Sequence, residues 1–66
     1  MKLVDAMTMK EVKAELASVG IVIHKYDGEY RVNLKGGQEV SAYYTNDLSD
    51  AYLTGLIMAD DAKFEF

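Results

Sequence analysis

The chain of 66 residues contains no cysteine, no proline and only one histidine, His24. Without cysteine the protein forms no disulfide and offers no thiolate to a metal; this fits a reducing compartment, and we expect it in the cytoplasm. One histidine cannot supply the converging ligands of a metal site, and no serine has a basic partner in the pattern. We therefore expect no metal, no cofactor and no catalytic residue, and we predict that the protein is not an enzyme.

Long hydrophobic runs are also missing. No stretch reaches the roughly 18 apolar residues that cross a membrane, and the first residues, MKLVDAMTMKEV, hold no apolar run of signal-peptide length. We therefore expect neither a membrane span nor a signal peptide. Because half of the residues are hydrophobic and no linker interrupts them, we predict one folded domain over residues 1–66, with 1–7 and 62–66 loosely ordered.

The excess negative charge lies in the last third of the chain. Residues 1–45 hold six Lys or Arg and six Asp or Glu, whereas residues 46–66 hold one Lys and five acids, and the net charge is −4. Such an asymmetry bears on partners and solubility rather than on the fold.

A hairpin is predicted around Asp27-Gly28, between two runs of β-branched and aromatic residues. This dipeptide favours a type I′ turn because both central positions of that turn need a positive φ. The turn opposes Tyr26 to Glu29. The period of two then places five residues on one face: Ile21, Ile23, Tyr30, Val32 and Leu34.

The second turn, at residues 36–38, is predicted as a three-residue loop. A two-residue Gly-Gly loop would place the apolar residues of the third strand on the wrong face. The three-residue loop opposes Lys35 to Glu39, Leu34 to Val40, Val32 to Ala42 and Tyr30 to Tyr44. Tyr44 is then expected on the core face and Tyr43 on the opposite face.

A helix is predicted on either side of these strands. The first runs from about Met9 to Val19, because Thr8 and Glu11 form a capping box and Gly20 stops the helix; its buried stripe is Val12, Leu16 and Val19.

The second helix begins at a cap formed by Thr45 or Asn46 and ends near Asp60 or Asp61. Its predicted buried stripe consists of Leu48, Ala51, Tyr52, Gly55, Leu56 and Ala59. Gly55, which costs about 1 kcal/mol relative to alanine, is expected to let the helix approach the sheet closely. Residues 62–66 alternate in polarity, which leaves a short strand and a frayed end both open.

These elements predict an α+β fold in the order α-β-β-β-α, a three-stranded antiparallel meander with two helices packed on one face. The other face is expected to stay open. It combines aromatic, basic and amide groups, which suit a protein interface or the bases and phosphates of a nucleic acid. The candidate binding residues there are His24, Tyr26, Arg31, Asn33 and Tyr43.

The second helix is the other candidate surface. Its acidic residues, Asp47, Asp50, Asp60 and Asp61, suit a partner protein with a basic surface. We predict a non-enzymatic protein-interaction module that acts through this helix or through the open sheet face. The alternatives are nucleic-acid binding through the open face, against which the net charge argues, and homodimerisation through that face, so that the protein is a monomer or a homodimer.

Two resemblances add to this interpretation. The element order resembles the double-stranded-RNA-binding domain, but residues 46–50, NDLSD, are acidic where that family is basic, and Asp27-Gly28 replaces its histidine-bearing loop, so no binding residue carries over. The run DGEYRVNLKGGQEVSAYYTNDLSDAYLTGLIMA resembles small uncharacterised proteins of phages and prophages. That likeness implies no activity, but it implies a phage setting and a modulator or inhibitor of a host protein.

Overall fold

The computed structural model describes residues 6–62 and confirms the α+β order α-β-β-β-α. Within this range the elements are α1 (Met9–Ala17), β1 (Ile21–Tyr26), β2 (Glu29–Leu34), β3 (Tyr43–Thr45) and α2 (Leu48–Ala62), with a 3-10 turn at Glu39–Ser41. The strands form one antiparallel sheet in the order β1-β2-β3. The predicted lead-in at 1–7 and the predicted tail at 62–66 fall almost entirely outside the described residues.

The first hairpin has the predicted turn and register. Asp27 has a φ of 53° and Gly28 a φ of 78°, as the type I′ turn requires. Tyr26 lies opposite Glu29, and the ladder continues unbroken to Ile21 opposite Leu34. The face that was predicted to be apolar therefore lies under the helices.

The third strand is shorter than predicted, and its register differs by one residue. Tyr43 pairs with Val32 and Tyr44 with Arg31, whereas the expected partner of Val32 was Ala42. This places Tyr43 on the helix-covered face and Tyr44 on the opposite face, so the predicted facing of both tyrosines is wrong.

The 3-10 turn is the reason for the different register. The N–H groups of Ser41 and Ala42 donate to the carbonyls of Gln38 and Glu39, both at 3.0 Å, so this segment bonds to itself instead of to β2. Val40, expected to face Leu34 in the core, is 91% exposed.

Helix α1 begins as predicted and ends earlier. The Thr8 hydroxyl accepts from the Glu11 N–H, and the Glu11 carboxylate accepts from the Thr8 N–H, which confirms the capping box. The helix ends at Ala17 because the Val19 N–H donates to the carbonyl of Leu16, three residues back, in a tightened last turn. Val19 is consequently exposed, and its predicted place in the buried stripe is wrong.

Helix α2 is capped by Asp47 rather than by Thr45 or Asn46. The Ser49 N–H donates to Asp47 Oδ1 at 3.0 Å, while the Thr45 hydroxyl accepts from the Asp47 N–H one step earlier. The residues of α2 that are buried, within Leu48–Asp61, are all small: Ala51, Gly55 and Ala59. Leu56, which was predicted to be buried with them, is exposed.

The core lies between the two helices and the covered sheet face, and it consists of Val12, Leu16, Ile21, Ile23, Val32, Ala51 and Ala59. Gly55 marks the tightest contact. A Cβ at this position would lie 2.7 Å from Leu16 Cδ2 and 3.3 Å from Ile21 Cγ2. The predicted close approach at Gly55 is thus confirmed, and it brings α2 against α1 as well as against the sheet.

Substitution of Gly55 by alanine tests this contact. Alanine gains about 1 kcal/mol in helix propensity, whereas overpacking between buried side chains costs about 1–3 kcal/mol. We expect a net loss of about 1 kcal/mol in the free energy of unfolding, measured by urea denaturation. In a Leu16→Val background, which removes the δ carbons, Gly55→Ala should be neutral or stabilising. An equal loss in both backgrounds would contradict the contact.

Candidate protein-interaction surface

The predicted open sheet face is only partly available. His24 and Tyr26 are exposed, Tyr26 by 81%, as expected of binding residues at this face. Tyr43 is not on this face, because the register of β3 pairs it with Val32. Tyr44 lies beside Arg31 instead. His24 and Arg31 therefore share this face as predicted, and Tyr43 does not join them.

Arg31 is held by an acidic neighbour from the 3-10 turn. Its Nη2 and Nε donate to Glu39 Oε1 at 2.9 Å and 3.2 Å, and the Tyr44 hydroxyl donates to the other oxygen of the same carboxylate. The hydrogen bond from Tyr44, followed by that from Arg31, lowers the pKa of Glu39. The charge of Arg31 is thus paired with a carboxylate, which would repel a phosphate that approached it.

Asn33 is the buried polar residue of the described chain and is only 1% exposed. Its Nδ2 donates to the Gln38 carbonyl at 3.0 Å, and its Oδ1 accepts from the Leu34 N–H at 2.8 Å and from the Ser41 hydroxyl at 2.7 Å. The 3-10 turn covers it. The prediction of Asn33 as an exposed binding residue is therefore wrong, because its amide holds the turn to β2.

Tyr43 and Asp50, which were predicted on different surfaces, bond to each other. The Tyr43 hydroxyl donates to Asp50 Oδ2 at 2.6 Å, and this bond raises the pKa of Tyr43. The contact attaches β3 to the flank of α2. Asp50 thus has a structural partner, as does the N-cap Asp47, whereas Asp60 and Asp61 lie exposed in the last turns of the helix.

Three exposed aliphatic residues lie together on α2, on the side away from the sheet. Leu53, Leu56 and Ile57 are all exposed, Ile57 by 62% and Leu53 by 48%. Leu53 and Ile57 follow the buried Ala51 and Gly55 by two residues, which turns them about 200° round the helix. We call the surface formed by Leu53, Leu56, Ile57 and Asp60 the outer face of α2.

Sequence reasoning missed this surface. Leu53, Leu56 and Ile57 stand at i, i+3 and i+4, the spacing of neighbours on one helix face. The helix therefore has a second stripe, formed by Ala51, Gly55 and Ala59. Of the two stripes, the one with the larger leucine and isoleucine side chains would ordinarily be assigned to the core. The signal that could have found the surface is the presence of two apolar stripes on one helix, since only one of them can face the sheet.

Within residues 46–62, the charges around the outer face of α2 are all negative. Asp60 lies within it and Asp50 and Asp61 lie on one flank, and residues 46–62 contain no Lys or Arg. The other flank adjoins α1, where the Tyr52 hydroxyl is 3.3 Å from the Glu15 carboxylate. Burial, followed by the charge of Glu15, raises the pKa of Tyr52.

Other kinds of site find no support in residues 6–62. Over that range no three histidine, cysteine or acidic side chains come together as metal ligands would. Neither of the two described helices has the length and hydrophobicity needed to cross a bilayer. No protein-family model, curated protein or solved structure matches this chain, so the two resemblances stay predictions.

Substitution of Asn33 tests its role beneath the turn. Asn33→Ala leaves the Leu34 N–H without its acceptor, and we expect a loss of about 1–3 kcal/mol in the free energy of unfolding. Ser41→Ala is the matched control, because it removes one donor and leaves the other two Asn33 bonds; its cost should stay below about 1 kcal/mol. Urea denaturation measures both, and equal losses would show that Asn33 does not anchor the turn.

The Glu39 carboxylate predicts a dependence of stability on pH. Its pKa lies below the ordinary value of 4.5, so its contribution to stability is fully present above that pH and is lost as the pH falls through the lowered pKa. Thermal unfolding of Glu39→Gln should give a lower Tm than wild type at neutral pH, and the difference should shrink on acidification. Tyr44→Phe should reduce the same pH dependence. A difference that stays constant with pH would contradict the pairing.

Proposed function

We propose that this protein is a non-enzymatic protein-interaction module that binds a partner protein on the outer face of α2. The observation that carries the proposal is the exposed stripe of Leu53, Leu56 and Ile57 on a helix with no basic residue. Contiguous exposed apolar side chains with a polar rim are typical of protein interfaces. The acidic helix was one of the two surfaces expected from the sequence, and these aliphatic residues supply the apolar centre that its aspartates lack.

The open sheet face supports the competing functions less well. Nucleic-acid binding needs accessible cations, but the guanidinium of Arg31 is paired with Glu39. Of the five residues predicted there, Asn33 is buried and Tyr43 faces the helices. His24 and Tyr26 remain as exposed groups, and Tyr44, also exposed at this face, has its hydroxyl bonded to Glu39.

The setting that we propose is a phage-borne modulator of a host protein in the cytoplasm. It rests on the likeness of residues 27–59 to small phage and prophage proteins and on the absence of cysteine. A binding surface without catalytic machinery suits such a role, because a small protein can inhibit or redirect a larger one by occupying its surface.

Quantitative affinity capture tests the proposed surface. The wild-type protein, a Leu53→Ser/Ile57→Ser variant and a Val40→Ser control are immobilised and exposed to lysate of the cells that express the protein. Each serine removes an exposed aliphatic anchor, and the loss of about 1.4 kcal/mol in binding free energy lowers the affinity about tenfold.

We expect a protein that is retained by wild type and by Val40→Ser and lost from the double variant. Val40 is the matched control because its side chain is more exposed than those of Leu53 and Ile57 and lies on the 3-10 turn, away from α2. Because all three positions are exposed, the free energies of unfolding should agree within about 0.5 kcal/mol. Equal retention by all three proteins, or loss only with a His24→Ala/Tyr26→Ser variant, would contradict the outer face as the binding site.

A further inference from the structure

We infer that the partner presents a basic amphipathic helix to the outer face of α2, an inference that rests on the proposed function. The docking surface has two properties that together specify its occupant. It is an aliphatic stripe on a regular helix, and the charges that border it are negative on both flanks. Each property selects a feature of the partner.

The charges select a cationic partner. Asp50 and Asp61 lie on the flank towards β3, Asp60 lies within the face, and Glu15 lies on the flank towards α1. The lysines of α1 do not compensate, since Lys13 and Lys10 stand two and five residues before Glu15 and are turned about 160° and about 140° away from it round the helix. A partner with Lys or Arg beside its apolar residues would gain complementary contacts along both flanks.

The same charges disfavour a second copy of this chain. In a twofold contact between outer faces, each surface meets its own equivalent. If the helices are antiparallel, Asp60 and Asp61 approach Asp50 of the other copy. If they are parallel, Asp60 approaches its own counterpart, and the flank with Asp50 and Asp61 meets the flank with Glu15. Like charges meet in both arrangements, and the phosphates of nucleic acid would meet the same repulsion.

The shape of the stripe selects a helix. Leu53 and Ile57 form an i, i+4 ridge, and Leu53 and Leu56 form an i, i+3 ridge, so the groove between them accepts the side chains of a second helix. Asp50 and Asp61 are separated by about 16 Å along α2, since each residue rises 1.5 Å in roughly ideal geometry. The partner helix therefore needs about three turns, with aliphatic residues at i, i+3 or i+4, and i+7 and with cations near both ends.

Titration with designed peptides tests the inference. The first probe is a peptide of about 15 residues with leucine at helical spacing and lysine elsewhere. The second has the same composition in an order that forms no stripe, and the third keeps the leucine stripe and replaces lysine with glutamate. Backbone amide shifts of the isotope-labelled full chain report where each peptide binds.

We expect the first peptide alone to shift the amides of Leu53, Leu56, Ile57 and Asp60, with an affinity that falls as salt screens the charges. If the reordered peptide binds with equal affinity, the inference that the partner presents a helical stripe is wrong. Binding of the glutamate peptide with equal affinity, or shifts centred on His24 and Tyr26, would overturn the inference as a whole, as would no binding of the first peptide.

Charge variants separate this inference from the proposed function. Asp60→Asn/Asp61→Asn should lower the affinity for the lysine peptide about fivefold or more. The matched control is Asp27→Asn/Glu29→Gln, which removes the same two charges from the hairpin tip and should leave the affinity unchanged. If the captured cellular partner depends on Leu53 and Ile57 but not on Asp60 and Asp61, the proposed function stands and the basic partner is wrong.

Sedimentation equilibrium tests the second copy as occupant. We expect the mass of a monomer at concentrations where the lysine peptide binds. A dimer that Leu53→Ser/Ile57→Ser dissociates would show that the outer face joins two copies of this chain, and it would overturn the inference.

Discussion

The packing of α2 through small side chains is the constraint on which the rest of the structure depends. Ala51, Gly55 and Ala59 face the core, and a Cβ at Gly55 would collide with Leu16. Amphipathic helices ordinarily bury their large aliphatic residues and expose polar ones. Here the small residues allow the backbone of α2 to approach α1 and β1 closely, so the large aliphatic residues are left outside. The exposed stripe on α2 is therefore a direct consequence of the close contact on its other side.

A second constraint, local to the link between β2 and β3, decides what the open sheet face presents. Asn33 bonds to the 3-10 turn from beneath, and Arg31 bonds to Glu39 from above. These contacts shorten β3 and assign Tyr44, rather than Tyr43, to the open face. Two of the polar residues that made this face resemble a binding surface, Arg31 and Asn33, are engaged in holding the turn. A polar sheet face that satisfies its own hydrogen bonds loses little by remaining in water.

Local sequence patterns were sufficient to predict the fold and much of its detail. The features that these patterns could not predict depend on long-range contacts. The turn at Asp27-Gly28 and the capping box of α1 depend on neighbouring residues, so the sequence predicts them correctly. The register of β3 depends on the side-chain bonds of Asn33 to residues five and eight positions away, and no period reveals these. The buried face of α2 was only partly predicted. Hydrophobicity alone assigns Leu56 to the core, whereas the close contact at Gly55 turns Leu56 towards solvent.

The acidic character of α2 has two parts that differ in their relation to the fold. Asp47 caps the helix and Asp50 accepts from Tyr43, so both would be present for structural reasons whatever the protein binds. Asp60 and Asp61 have no such role in the described part of the chain, and near the C-terminal end of a helix a negative charge opposes the helix dipole. Their position costs stability where lysine would add to it. In the function that we propose, these two charges beside the exposed aliphatic side chains would oppose self-association of the stripe and favour a basic partner.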